Sequence, residues 1–168
     1  LYVSHRAASI ALVYNAADHA LGMNRRRTLS RIVKSNSVGT QRTRLTKSIV
    51  VAIRELMKQS SPDSHTRDYA AYIVLALRAV DDTVERTVTP WEKRDYWVKA
   101  EKFRMEWNWV KTLGPQLEKA LLDEDWAEVA YTAAQIATKL SDVQVSERHR
   151  LGTPWDDAWK KFQMGMNG

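Results

Sequence analysis

The side chains in this 168-residue chain with the clearest chemical potential are cations. Between residues 24 and 47 stand Arg25, Arg26, Arg27, Arg31, Lys34, Arg42, Arg44 and Lys47, with no Asp or Glu among them. The chain as a whole carries +6, but residues 1–60 carry eleven Lys and Arg against Asp18 and Glu55, so the positive charge is concentrated at one end. A dense, acid-free run of this kind points to a polyanionic partner held through its charge, while the plainer alternative is a solvated face balanced by the acidic remainder of the fold. Arg54 and Lys58 extend the same charge further along the chain.

Other chemistry is hard to find. His5, His19, His65 and His149 sit in different segments, without the spacing that puts two ligands on one helix face, and no metal site is expected. Asp81, Asp82 and Glu85 form an acidic cluster, but Arg78 and Arg86 lie one helical turn away, which predicts ion pairing rather than cation binding. There is no cysteine, no glycine-rich phosphate loop and no local nucleophile, base and acid pattern, so neither a cofactor nor a catalytic residue is expected. All seven tryptophans fall after residue 90, away from the basic run. Aromatic and basic residues are therefore not interleaved, which argues against a base-stacking groove and for tryptophans in core and interface.

The elements that must carry these residues read as helices throughout. Residues 2–23 place Ile10, Val13, Tyr14, Ala17 and Leu21 on one stripe, and a basic connection with a breaker at Gly39 follows. In residues 41–59, Leu45, Ile49, Ile53, Leu56 and Met57 share a broad face, while Arg44, Lys47, Arg54 and Lys58 lie within an arc of roughly 80° on the other side. Pro62 and Asp63 start a long helix to about residue 87, cored by Tyr69, Ile73, Ala76, Leu77, Val80 and Val84. Thr89-Pro90-Trp91-Glu92 has the form of a capping box and predicts a new helix over residues 90–113, which Gly114-Pro115 would break.

That helix carries two stripes. Tyr96, Ala100, Phe103, Trp107 and Val110 form one, and Trp91, Val98, Met105 and Trp109 the other. The second requires cover from the C-terminal segments or from another subunit, because burying such side chains is favourable by about 1.5–3 kcal/mol each. After residue 114 a short helix, a second cap at Asp125 to Glu128 and a helix cored by Val129, Ala133, Ile136 and Leu140 are expected. Thr153-Pro154-Trp155-Asp156 then opens a docking helix with Trp155, Trp159 and Phe162 on one side.

Glu101-Lys102-Phe103-Arg104, running to Trp109-Val110-Lys111, resembles the accessory variability protein of diversity-generating retroelements. The likeness lies in the spacing of Glu101, Arg104 and the Trp109-Val110-Lys111 ending and in helix lengths over residues 40–113. It implies a small basic helical bundle that assembles into a ring and binds a reverse transcriptase and nucleic acid. Phe103, Trp107 and Asn108 stand where that family carries small glycines, and residues after 114 have no counterpart in it. In size, helicity and charge alone the chain is also similar to the small helical subunits of multi-subunit CRISPR effector complexes.

The combined expectation is one all-α domain of residues 1–168. It would be an antiparallel four-helix bundle of residues 3–22, 41–59, 64–87 and 90–113 (main bundle 1–113), with a C-terminal helical hairpin and short docking helix over 114–168. The expected function is that of a non-enzymatic, cytoplasmic accessory subunit with no membrane association. It would contact the phosphates of RNA or DNA through the ten cations from Arg25 to Lys58 and bind protein, or further copies of itself, through Trp91, Val98, Met105, Trp109, Trp155, Trp159 and Phe162. The alternative is an oligomeric scaffold that uses the tryptophan-bearing stripes alone.

Overall fold

A computed structural model describes residues 37–166 of the chain. Among them are five helices and no strand: α1 (Val38–Leu56), α2 (Ser64–Glu92), α3 (Trp97–Leu122), α4 (Trp126–Lys139) and α5 (Ala158–Met166). The all-helical expectation holds for these residues. The helix expected over 3–22 and the basic connection that follows it lie outside the described residues.

Helix α1 begins earlier than its sequence suggests. The Ser37 hydroxyl accepts the Thr40 amide at 3.2 Å, so Gly39 falls in the first turn instead of breaking the chain. Leu45, Ile49, Ile53 and Leu56 are buried, as their spacing predicts, while Met57 is left 48% exposed beyond the helix end. Asp63 caps α2 in a reciprocal box: its carboxylate accepts the Thr66 amide at 2.9 Å, and Thr66 Oγ1 accepts the Asp63 amide at 3.3 Å. Helix α2 is the centre of the structure, packed by α1, α3 and α5, which is why every residue from 70 to 81 except Arg78 is buried.

Two expected boundaries are corrected. Pro90 does not open a helix but lies inside α2, where Thr89 Oγ1 donates to the Glu85 carbonyl at 2.8 Å and Glu92 accepts from Arg104. The chain turns only at 93–96, with Asp95 in the left-handed region at φ 61° and the Tyr96 amide donating back to the Trp91 carbonyl at 3.0 Å. Gly114-Pro115 does not end a helix either, since α3 runs through both to Leu122. A mid-helix proline costs about 3 kcal/mol, but Leu113, Leu117 and Leu121 are all buried on this stretch, each contributing about 1.5–3 kcal/mol. Burial outweighs the lost hydrogen bond.

Helices α1, α2, α3 and α4 succeed one another in antiparallel contact. Arg42 at the start of α1 reaches Thr83 and Thr87 near the end of α2, and Arg78 of α2 pairs with Glu118 late in α3. Gln116 of α3 donates to Glu128 at the start of α4 at 2.6 Å, and α4 returns to touch α1. The Asp125 cap forms as expected, its carboxylate accepting the Glu128 amide at 3.0 Å. Residues on both sides of residue 113 share one hydrophobic cluster, with Val129, Ala133, Ile136 and Leu140 joined to the side chains of α1 and α2.

The last helix starts four residues after its expected opening: Thr153 and Asp156 form a side-chain bond of 2.6 Å at the head of a turn, and α5 proper begins at Ala158. It docks on α2. Trp155 lies 5.4 Å from the ring of Tyr69 and 6.2 Å from that of Tyr72, and the Asp68 carboxylate accepts the Trp159 amide at 2.9 Å.

Candidate nucleic-acid interface and apolar face

The ten cations singled out in the sequence separate into three groups. Arg25, Arg26, Arg27, Arg31 and Lys34 lie outside the described residues. Arg42, although part of the same run, is turned inward. Its guanidinium donates to the Thr87 hydroxyl at 3.0 Å and to the Thr83 carbonyl at 3.3 Å, and sits 4.7 Å from the Phe103 ring centre and 5.4 Å from that of Trp107. Burial lowers its pKa from the ordinary arginine value. Arg42 therefore clamps α1 to α2 and α3, and it is removed from the set of phosphate contacts.

The remaining four follow the outward side of α1. Arg44 and Lys47 are half-buried at the base of the ridge, and Lys47 has no ion pair among the described residues. Arg54 is exposed and donates to the Val145 carbonyl at 3.1 Å, and Lys58 pairs with Glu55 at 2.7 Å. Such exposed contacts contribute only about 0–1 kcal/mol each. The Arg54 bond brings Val145 to this side of α1, and Val143, Val145 and Leu151 pack onto the core. Exposed Arg148 and Arg150 follow Val145 in the chain, two cations that sequence reading passed over. Their one signal was the Arg-His-Arg at 148–150, which sits in no helical pattern.

The acidic cluster is ion-paired, but not entirely as its spacing suggested. Asp82 meets Arg86 at 3.5 Å, whereas Arg78 pairs across the helices with Glu118. Glu85 accepts from Lys111 at 3.0 Å and from Arg104 at 3.2 Å, and Lys111 also lies 3.7 Å from buried Asp81. Partial burial pushes the Glu85 carboxyl up, but the hydrogen bonds from Lys111 and Arg104 outweigh it and leave the pKa below the usual value. Donating to Glu92 and then to Glu85 raises the pKa of the Arg104 guanidinium above its ordinary value.

The residues expected to bind protein are also divided. Trp155 and Phe162 are buried in this chain's own core, and Trp159 is half-buried against it, so the docking element docks on α2 and not on a partner. Burial of the two aromatic rings leaves no surface for an outside contact, and both are withdrawn from the interface set. Trp109 is half-buried between α3 and α4, beside Gln135 and Thr138. Trp91 belongs to the end of α2, where Lys99 lies 4.2 Å from its ring centre and Phe103 meets it edge-on at 5.4 Å. Val98 and Met105 remain 71% and 70% exposed. The inner stripe of α3 is buried or half-buried at Ala100, Phe103, Trp107 and Val110, but Tyr96 is corrected to an exposed helix cap, joining Trp97 beside Val98.

The C-terminal segments thus do not cover the outer stripe over its first half. Helix α4 lies along the second half of α3, and α5 lies on α2. Between the end of α2 and the start of α3 runs an open groove of about 620 Å³, lined by Trp91, Trp97, Val98, Lys102, Phe103 and Glu106 among others.

Among the described residues no helix is long and apolar enough to cross a membrane, and no group of three or more His, Cys, Asp or Glu is arranged to hold a metal ion. Comparison of the chain with protein-family models, with curated proteins and with solved structures finds no match.

Proposed function

We propose that the protein is a non-enzymatic accessory subunit of a nucleoprotein complex, gripping RNA or DNA through phosphates. The observation that carries this reading is the acid-free run of eight cations over residues 24–47, which leads into a helix whose only acid is Glu55. Arg44, Lys47, Arg54 and Lys58 supply point charges on one side of α1, and exposed Arg148 and Arg150 follow Val145, which Arg54 holds. With the tryptophans packed elsewhere, affinity comes from charge and counterion release, with little sequence readout. The fuller architecture belongs to the same reading: an antiparallel four-helix bundle completed by residues 3–22, with a C-terminal hairpin and docking helix, in a cytoplasmic protein. So does the resemblance to the accessory variability protein.

The test is binding to labelled single- and double-stranded RNA and DNA over a salt series. Affinity is expected to fall steeply with salt, and Arg25, Arg26 and Arg27 changed together to Ala should reduce the slope of log affinity against log salt by about two to three. Lys47→Ala with Arg54→Ala should reduce it by about one to two. No binding at low salt, or a slope that none of these changes moves, would dismiss the reading.

A second reading, an oligomeric scaffold, is favoured by one specific observation: Trp97, Val98 and Met105 are each more than half exposed on one helix.

A further inference from the structure

We infer that the outer face of α3 is the contact between two copies of this chain, laid antiparallel about a two-fold axis close to residues 102 and 103. This goes beyond the phosphate-binding reading and does not depend on it.

The first premise is the face itself. At 100° per residue Val98, Met105 and Trp109 fall within about 40° of one another. Val98 and Met105 project into solvent, and the groove against the end of α2 continues the apolar surface sideways to Trp91. An apolar helix stripe with a groove beside it is the usual seat of a second helix.

The second premise, charge, selects the occupant. By the same geometry Lys99 and Glu106 lie on one edge of the stripe, about 80–100° from Val98 and two turns apart, and Glu101 lies on the other edge. Glu101, Lys102 and Glu106 have no ion pair among the described residues, and Lys99 lies over the Trp91 ring without a carboxylate partner there. An isologous contact requires a surface complementary to itself. In an antiparallel helix pair, equivalent edges meet each other, so Lys99 of each copy falls opposite Glu106 of the other, and the two-fold makes the pair twice. Val98 and Trp109 then approach across the seam, with Met105 against the aliphatic stem of Lys102. A parallel pair would instead bring unlike edges together, so the Lys99–Glu106 pairing belongs to the antiparallel arrangement alone.

The experiment is sedimentation of the full chain, without nucleic acid, over a range of concentrations. The wild type is expected at twice the 19.3 kDa of one chain, and Met105→Glu at one chain's mass with unchanged helicity. Lys99→Glu and Glu106→Lys should each weaken association at least about tenfold by setting like charges together, and the double exchange should restore it. A monomeric wild type overturns the inference, as does a dimer indifferent to Met105→Glu. A dimer weakened by each single charge change but not rescued by the double overturns the antiparallel register. Should Met105→Glu lose helicity, the charge exchange decides alone, since both of its positions are on the helix surface.

Discussion

The two halves of α3 have the same amphipathic character and different fates. From Val110 onward the helix is held on one side by α2 and on the other by α4, with Leu113, Leu117, Ala120 and Leu121 buried. From Trp97 to Asn108 only the α2 side is filled, and Val98 and Met105 stand in water. The difference is topological. Asp123-Glu124-Asp125 turns the chain straight back, with the Asp125 amide donating to the Ala120 carbonyl at 2.9 Å, so α4 can reach only as far as its 14 residues extend along α3. A helix of that length spans about 21 Å, against about 39 Å for the 26 residues of α3. Hydrophobic pattern says that a stripe needs cover; partner length says how much it receives.

Unequal truncations break this comparison most sharply. Leu117→Ala, in the covered half, should destabilise by about 2–5 kcal/mol in urea unfolding, whereas Val98→Ala, in the open half, should stay within about 0.5 kcal/mol at concentrations where the chain is monomeric. Equal losses would mean that the two halves are buried alike.

The next largest effect is expected in alkali. Burial pushes the Tyr72 hydroxyl up to about 12, against the smaller opposing effects of its 2.6 Å hydrogen bond to Ser48 and the charge of Arg44. The unfolded chain releases this proton near pH 10 and the folded chain does not, so stability is intact below pH 10 and falls as pH rises through about 12, by roughly 2–3 kcal/mol. Tyr72→Phe should remove that part of the decline; an unchanged alkaline limb in stability measured against pH would locate its cause elsewhere.

The smallest test sharpens the contrast at the open end. Arg42→Met keeps much of the aliphatic packing but leaves the Thr83 carbonyl and Thr87 hydroxyl without their guanidinium, at a cost of about 1–2 kcal/mol. Its salt slope in nucleic-acid binding should equal that of the wild type, unlike Lys47→Ala with Arg54→Ala. A reduced slope would return Arg42 to the phosphate contacts.

Much of the helical core was legible in the sequence because periodicity reports one-sided burial directly. Leu45, Ile49, Ile53 and Leu56 on α1, and Ile73, Leu77, Val80 and Val84 on α2, are buried where their spacing puts them. Punctuation was less readable. Pro90 and Gly114-Pro115 have the chemistry of boundaries, yet a local preference of a few kcal/mol was outweighed by burial supplied from other elements, which one segment's sequence does not contain. The candidate site divided for a related reason. Arg42 and Arg44 are two residues apart and equally basic, but only the fold brings Thr83, Thr87, Phe103 and Trp107 to Arg42. Residues 141–151 carry no periodicity, so nothing local showed that Val145 would meet Arg54 of α1.

The bond from the Trp159 amide to Asp68 joins positions 91 residues apart, and it has a consequence for synthesis. The side of α2 that receives Trp155 and Phe162 is translated long before its cover. At about 5–20 residues per second, α2 waits roughly 5–18 s for the segment that caps it. During that interval the nascent chain shows the Tyr69 and Tyr72 surface to its surroundings, and chains released before residue 155 would keep it exposed. Loss of residues 155–168 is therefore a matter of solubility and proteolytic survival before it is one of shape.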